Sequence, residues 1–566
     1  MQSIQSSIFL SLALAASCTP RAERDPDPEP FLFRRTELEL VLPADLRGPI
    51  EAKLIATIAF DPVSPRENWL SEVPVFSFDE SAVIKRALDG EGNALELKHR
   101  AFSRGGRRLV SLQRDFTVEP EHEVILEYTV QPGAGPYIGV HSEKTLLAFS
   151  GAEIAPRILN YRYEACPRTI RALWKTGENR AVLAGPGGAV VLAPAPGGGL
   201  QGEIRTPEGE VGANDFIVSA VEHVMESGPV SVFATESTQA PEKYEKVAAT
   251  IARVAALYES RLGPLDRHIA AIEAGDSMKG WSLYPGVFVL PSTVFEPSGP
   301  SVYDDQLIAH ELAHSYFGAG VFSSAPGGAV IVEGAAEYLS LVAVEELRGN
   351  QELRAVLLDY REAARTEPAL PAPLRMYPGS APLPTLGYVR SAYFFRMLEA
   401  RVGRRELLAF LSRTWQENRW SEWPLERLTG DGRLRELWER EGRGPAWPEF
   451  IECWLGEPSS TPEVAFRSGI ARPVGSAYRV TVVLENKGNC AADVPVEFRG
   501  AGGESLIRWV YVNRKATLSV SMHWRPVAAV LDPQLSVFEA ATEERTLRLE
   551  ANRSTSPAPR GSAPPR

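Results

Sequence analysis

The chain has 566 residues, 44% hydrophobic and 23% charged. These are ordinary values for a globular protein, and they exclude a disordered, collagen-like or multi-span membrane chain. Its 60 basic and 72 acidic residues give a formal net charge of -12. An acidic surface repels phosphate backbones, so no nucleic-acid partner is expected. At about 100–200 residues per domain, the length predicts three or four domains.

The first element is a nine-residue apolar run, residues 8–16, reading IFLSLALAA. A membrane-spanning helix needs about 20 residues, and a run this short fits the core of a signal peptide. It ends in Ala15-Ala16-Ser17-Cys18, which resembles the cleavage box of bacterial lipoproteins. That resemblance implies lipidation of Cys18 and membrane contact through an N-terminal anchor. Residues 1–17 contain no Lys or Arg, unlike the usual positive start, and an ordinary secretion signal with an incidental cysteine is the alternative. Either way export is expected: lipid-anchored in a bacterial cell envelope, or soluble in the periplasm or outside. The Pro- and charge-rich stretch after Cys18 cannot build a core and reads as a tether.

Residues from about 35 to 235 read mainly as strands. Leu38, Leu40 and Leu42 alternate with polar or other residues, residues 124–130 are β-rich, and Gly/Pro clusters such as 185–188 punctuate the region. A β-sandwich-like domain is the simplest reading. Near Pro241 the period changes. Val247, Ile251, Val254, Tyr258 and Leu262 recur at helical spacing, and Gly263-Pro264 stops the run. Strand-like stretches follow at 268–272 and 287–290, and the chain is then largely helical to about Leu455. From about 460 alternation returns, at Tyr478, Val480, Val482 and Leu484, then Val494, Val496 and Phe498, then residues 509–512. This predicts a small β-sandwich. No internal repeat is present.

The expected organisation is a multidomain α+β chain. A signal peptide occupies 1–18, a flexible linker 19–34, the N-terminal β domain 35–235, a catalytic domain 236–457, the C-terminal β-sandwich 458–545 and a disordered tail 546–566. Cys166, Cys453 and Cys490 contain no CxxC pair, and their pairing stays open. If Cys18 is lipidated, at least one of these three has no partner in the chain.

The chemistry concentrates in His310-Glu311-Leu312-Ala313-His314. On a helix, positions i and i+4 share a face one turn apart, so both imidazoles can reach one Zn²⁺ ion. Glu311 beside them can act as general base on a metal-activated water. Leu307, Ile308 and Leu312 supply apolar faces, Asp304 and Asp305 suit the first turn, and Gly318 can end the helix. A catalytic zinc needs a third protein ligand. Glu333, separated from His314 by 18 residues and in a second helical stretch, is the candidate.

His310-Glu311-Leu312-Ala313-His314-Ser315-Tyr316-Phe317-Gly318, followed by Glu333-Gly334-Ala335-Ala336-Glu337-Tyr338, resembles the zinc site of the gluzincin metallopeptidases. The nearest pattern is that of the membrane alanyl aminopeptidase and leukotriene hydrolase family: HExxH, 18 residues, then Glu in an EGxAxY setting. The resemblance implies a thermolysin-like, mostly helical catalytic domain with one zinc ion held by His310, His314 and Glu333. It implies that Glu311 takes the proton from water and passes it to the leaving amine, with a peptide or protein as substrate. Leu386-Gly387-Tyr388-Val389-Arg390-Ser391 looks like the family's Tyr-x-Lys-Gly motif, which implies Tyr388 as oxyanion donor. Arg390 and Ser391 replace its Lys and Gly. A packing role beside Tyr393, Phe394 and Phe395 is the alternative for Tyr388. An acid one turn after the third ligand implies for Glu337 an orienting role toward the first histidine; a solvated helix-face charge is its alternative.

Two features depart from the family. Its Gly-x-Met-Glu-Asn motif, whose Glu grips a free amino group, has no Glu or Asn counterpart in residues 278–290. A strand there can still take an extended peptide by β-addition. The long helical domain found at the C-terminus of many members has no place after the small sandwich, which predicts a more open site. The reading is therefore a zinc-dependent, aminopeptidase-like metallopeptidase. An endopeptidase or specialised peptidase without the amine anchor is one alternative, and a catalytically silent peptidase-fold binding protein another.

Overall fold

The computed structural model describes residues 31–551, except 61–72, 80, 100–106, 117–118, 133–137, 143, 149–156, 159–165, 209, 211–214, 236–240, 275–279, 324, 380–382, 441, 459–460 and 538–544. The expected signal segment with Cys18, most of the linker and the tail from 552 onward lie outside the described residues. Two expected boundaries shift. The first strand starts at Phe31, inside the stretch read as linker, because Phe31 and Phe33 are both buried in the core. Short strands at Thr546–Arg548 and Glu550–Ala551 extend order into the stretch read as tail.

The chain divides into two units. The first comprises Met1–Glu352, Tyr377–Pro382 and Leu408–Leu425, and the second Leu353–Met376, Leu383–Leu407 and Glu426–Arg566. The first unit begins with a seven-stranded sheet centred on Phe31–Leu42, Ile50–Phe60 and Glu121–Val130. Alternation does what the pattern predicts: Leu38, Leu40 and Leu42 point into the core with Leu54, Ile58, Leu126 and Trp174. The other face carries cross-strand ion pairs, such as Arg171 with Glu37 at 2.6 Å and with Glu203 at 2.6 Å.

A five-stranded sheet follows, in the spatial order His223–Ser227, Val230–Ala234, Ile269–Ala274, Val287–Pro291, Trp281–Tyr284. Val230–Ala234 pairs parallel with Ile269–Ala274, and this needs a crossover. Helix α1 (Glu242–Leu262) provides it, burying Val247, Ile251, Val254, Tyr258 and Leu262, the residues of the helical repeat. Gly263 ends it at φ 108°, a conformation closed to most side chains. Trp281–Tyr284 forms the edge, joined to Val287–Pro291 through Pro285-Gly286. Gly286 has φ +80°, and proline before such a glycine is the composition of a type II turn. The Gly286 N–H donates to Ser315 Oγ at 2.9 Å, fixing the hairpin to the segment that carries the histidines.

That segment is helix α2 (Val302–Ala313). Ser301 and Asp304 form a reciprocal capping box at its start. Asp305 turns inward instead, is buried, and pairs with Arg348 at 2.5 Å. The helix ends at Ala313 with His314 as its cap, five residues before the glycine expected to stop it. Helix α3 (Ala335–Arg348) packs beside it and is entered through a π turn, Val330–Gly334.

The second unit holds most of helix α4 (Asn350–Thr366), helix α5 (Thr385–Val402) and, from Glu426, short helices to Gly456. Beyond Val464 it is β, with four strands in each of two sheets among the described residues. Val480, Val482 and Leu484 of one sheet and Val494, Val496 and Phe498 of the other are buried. Cys453 and Cys490 form a disulfide, and Cys166 in the first unit is free and buried. Among the described residues no helix is long and apolar enough to cross a membrane.

Candidate metal centre

Helices α2 and α3 bring His310, His314 and Glu333 together in the first unit. His310 Nε2 and His314 Nε2 face each other at 3.1 Å, and Glu333 Oε2 lies 3.4 Å from each. Donors on a tetrahedral ion at zinc distances stand about 3.3 Å apart. The triangle therefore has the edge lengths of a tetrahedral face, and a donor set of two imidazole nitrogens and a carboxylate suits zinc. Among the described residues this is the group of His, Cys, Asp and Glu side chains placed to hold an ion.

Between His314 and Glu333 the chain passes into a π turn, Val330–Gly334. Glu333 sits inside it, and the wider turn sets the angle at which its side chain leaves the helix. Single π turns of this kind recur at functional sites. No feature of the sequence distinguishes it from an ordinary helical turn.

Each histidine is oriented through its second nitrogen. His310 Nδ1 lies 2.5 Å from Glu337 Oε2. Glu337 is thus turned to the site, and the alternative of a solvated helix-face charge does not describe it. Its Oε1 accepts from the Gln306 side-chain amide at 2.9 Å. His314 Nδ1 lies 3.0 Å from the Phe317 backbone oxygen. Gly318 presses on that ring: a β-carbon there would stand 2.7 Å from His314 Nδ1, and its φ is +129°. Gln306 was missed by sequence reasoning, as was Gly280, where a β-carbon would stand 2.5 Å from Glu311 Oε1. A glutamine one turn before His310 on the same helix face was the available signal for the first.

Glu311 is buried, and its Oε2 has no hydrogen-bond partner within the described protein. Burial raises its carboxyl above the ordinary range, opposed by the two histidines. Burial alone would favour neutral rings. The Glu337 carboxylate, with Glu333, outweighs it and holds His310 well above the usual histidine value. Glu333 does the same for His314. Against the same burial cost, His314 and His310 hold Glu333 well below the carboxylate range. The cluster is thus a buried anion flanked by two rings that attract positive charge between them.

Tyr388 stands on α5 in the second unit, half-buried in a helix whose other faces are covered. Its neighbour Arg390 is structural. It is buried, and its guanidinium donates to the carbonyls of Pro458 at 2.7 Å, Cys453 at 3.0 Å and Glu457 at 2.6 Å.

The fold is similar to that of the crystal structure of Legionella pneumophila aminopeptidase A in complex with aspartic acid, with a TM-score of 0.69 at 14% identity. The match covers 92% of this chain and 60% of that one, so the chain spans about three fifths of the length of the structure it matches. At that identity the likeness is one of fold. No family model matches the chain, and no curated protein does. The chain thus combines a fold similar to that structure's with a buried His-His-Glu cluster.

Proposed function

We propose that the chain is a zinc-dependent metallopeptidase of the gluzincin type, with aminopeptidase-like action on peptides. The observation that carries this reading is the His310–His314–Glu333 triangle with Glu311 buried beside it. When bound, zinc supplies Lewis-acid chemistry: it polarises a carbonyl and acidifies water. Glu311 takes the proton of the attacking water and delivers it to the leaving amine. Its raised proton affinity, caused first by burial, suits a group that must both accept and return a proton. Glu337 and the Phe317 carbonyl keep the histidine Nε2 atoms free to hold the ion. Tyr388 is assigned the oxyanion by the resemblance of its motif.

The same reading assigns an N-terminal β domain, a thermolysin-like catalytic domain and a C-terminal β-sandwich. It places the protein outside the cytoplasm, tethered through Cys18. The Cys453–Cys490 disulfide supports export, since such bonds persist in oxidising compartments.

One observation favours a second reading, an endopeptidase or specialised peptidase. The edge strand meets the site at Gly280, where a β-carbon would touch Glu311. Residues 281–284 of that strand are Trp, Ser, Leu and Tyr, and Leu283 and Tyr284 are buried. A strand without a carboxylate offers no grip on a free amine. Hydrolysis of free and N-acetylated peptides, with and without a chelator, tests both readings. Chelator-sensitive cleavage restricted to free amines is expected of an aminopeptidase, and equal cleavage of blocked peptides selects the second reading. Stoichiometric zinc with no turnover on a broad peptide library identifies a silent binding protein.

A further inference from the structure

We propose that Gln306 is a positioning residue of the metal centre: it holds the Glu337 carboxylate, which in turn sets the ring and tautomer of His310. The proposal rests on reading the triangle as a zinc site. Gln306, His310 and His314 follow one another at four-residue spacing down one face of the segment, and Glu333 and Glu337 do so on the facing one. The two rows make contact twice. His310 and His314 meet Glu333, and one turn earlier Gln306 and His310 meet Glu337.

The two Glu337 oxygens face different groups in this pair of contacts. Oε2 faces His310 Nδ1 at 2.5 Å, and Oε1 takes the Gln306 amide at 2.9 Å. A ring that donates its Nδ1 proton presents a bare Nε2 lone pair and becomes a stronger donor to a metal. The terminal torsion of a glutamate is broad, so one hydrogen bond leaves the carboxylate plane poorly defined. A second donor fixes it. Gln306 is buried and neutral, so it supplies that donor without cancelling the carboxylate charge that His310 uses.

The two histidines are therefore supported in different ways. His314 leans on a backbone carbonyl and on a glycine, which substitution of a neighbouring side chain does not remove. His310 leans on a pair of side chains, and only its support can be taken away stepwise. Removing Gln306 loosens Glu337, and removing Glu337 frees His310.

The test is zinc affinity of the full chain, measured by chelator competition without any substrate, on Gln306→Met, Glu337→Leu and the double variant. Outer-shell partners of this kind typically change metal affinity about 10–100-fold, which is expected for Glu337→Leu. Gln306→Met is expected to weaken zinc about 3–10-fold, the smaller effect of a more distant group. The double variant is expected to bind as Glu337→Leu does, because Gln306 acts through Glu337. A Gln306→Met affinity equal to the parent's, or penalties that multiply in the double variant, overturns the proposal. Gln306→Asn, which keeps the amide but draws it back by one methylene, gives the same reading should the methionine variant not fold. A parent that binds no zinc overturns the site itself. A parent that binds zinc, responds to Gln306 as stated and cleaves no peptide overturns only the peptidase reading.

Discussion

Gly280 lies so close to Glu311 that a β-carbon on it would stand 2.5 Å from Oε1 and 2.8 Å from Cγ. Leu307 Cδ1, also 2.8 Å away, closes the other side. The start of the edge strand is thereby keyed to the Glu311 carboxylate by the absence of a side chain. Gly280→Ala must push either the strand or the Glu311 carboxylate aside. Displacement of a reacting group by about 1 Å costs on the order of 10²-fold in rate. The expected outcome is a kcat/KM about 10²-fold lower with zinc content unchanged, read by steady-state kinetics and metal analysis. An alanine variant with parental kcat/KM contradicts the keyed geometry.

Glu311 is assigned proton transfer and stands outside the donor triangle. Glu311→Gln keeps its shape and removes its basicity. Loss of a positioned acid–base group typically costs about 10²–10⁴-fold. Hydrolysis is expected to fall by that order while the protein keeps one zinc per chain. Folding stability should hold or rise, because a buried carboxylate with an oxygen lacking a partner is replaced by a neutral amide. Full activity in this variant sinks the mechanism.

Zinc affinity should climb with pH beyond the ordinary histidine range. His310 and His314 both hold protons more tightly than the usual 6.5, against burial, because Glu337 and Glu333 face them. A proton on either ring must leave before zinc binds, so affinity rises with pH until both rings are neutral. For folding of the metal-free chain the sign is opposite. A histidine with a raised folded value contributes stability that is complete below 6.5 and disappears as pH rises through that raised value. Calorimetry in buffers of different ionisation enthalpy, from pH 6 to 8, should show protons released on zinc binding. A pH-independent affinity above 6.5 contradicts the charge balance of the cluster.

Arg390 occupies the position of the family motif's lysine, and restoring that lysine should harm the protein. Its guanidinium satisfies three carbonyls at once, while an ammonium on a shorter reach satisfies fewer. A carbonyl that loses its donor where water reaches it poorly costs up to about 1–3 kcal/mol. Arg390→Lys is expected to lower the unfolding free energy by about that much, measured by denaturant titration with an unchanged slope. A neutral or stabilising lysine shows that the three bonds are dispensable.

Much of the site was legible because helical geometry is local. The four-residue offset of His310 and His314 puts two rings on one face whatever the rest of the chain does. Helix α1 matches its repeat and its Gly263 stop, and the strands at 287–291 and 477–486 match their patterns. The contacts that depend on a second element were not legible. Gln306 meets Glu337 only because α2 and α3 pack side by side. Gly280 meets Glu311 only because a hairpin lies across the helix. The choice of Cys490 as the partner of Cys453, 37 residues away, needs the folded second unit. Gly318 was read as a helix stop because glycine usually is one. Here its missing side chain instead makes room for the His314 ring.

The π turn at Val330–Gly334 has a consequence for how the gene can change. An α-helix advances about 100° per residue. One residue more or fewer inside that turn would rotate Glu333 by that angle and swing its carboxylate away from the two imidazoles. Substitutions along the segment alter packing by degrees, whereas a single-codon insertion or deletion would take Glu333 out of the cluster. The distance of 18 residues between His314 and Glu333 is therefore a count the chain has to keep.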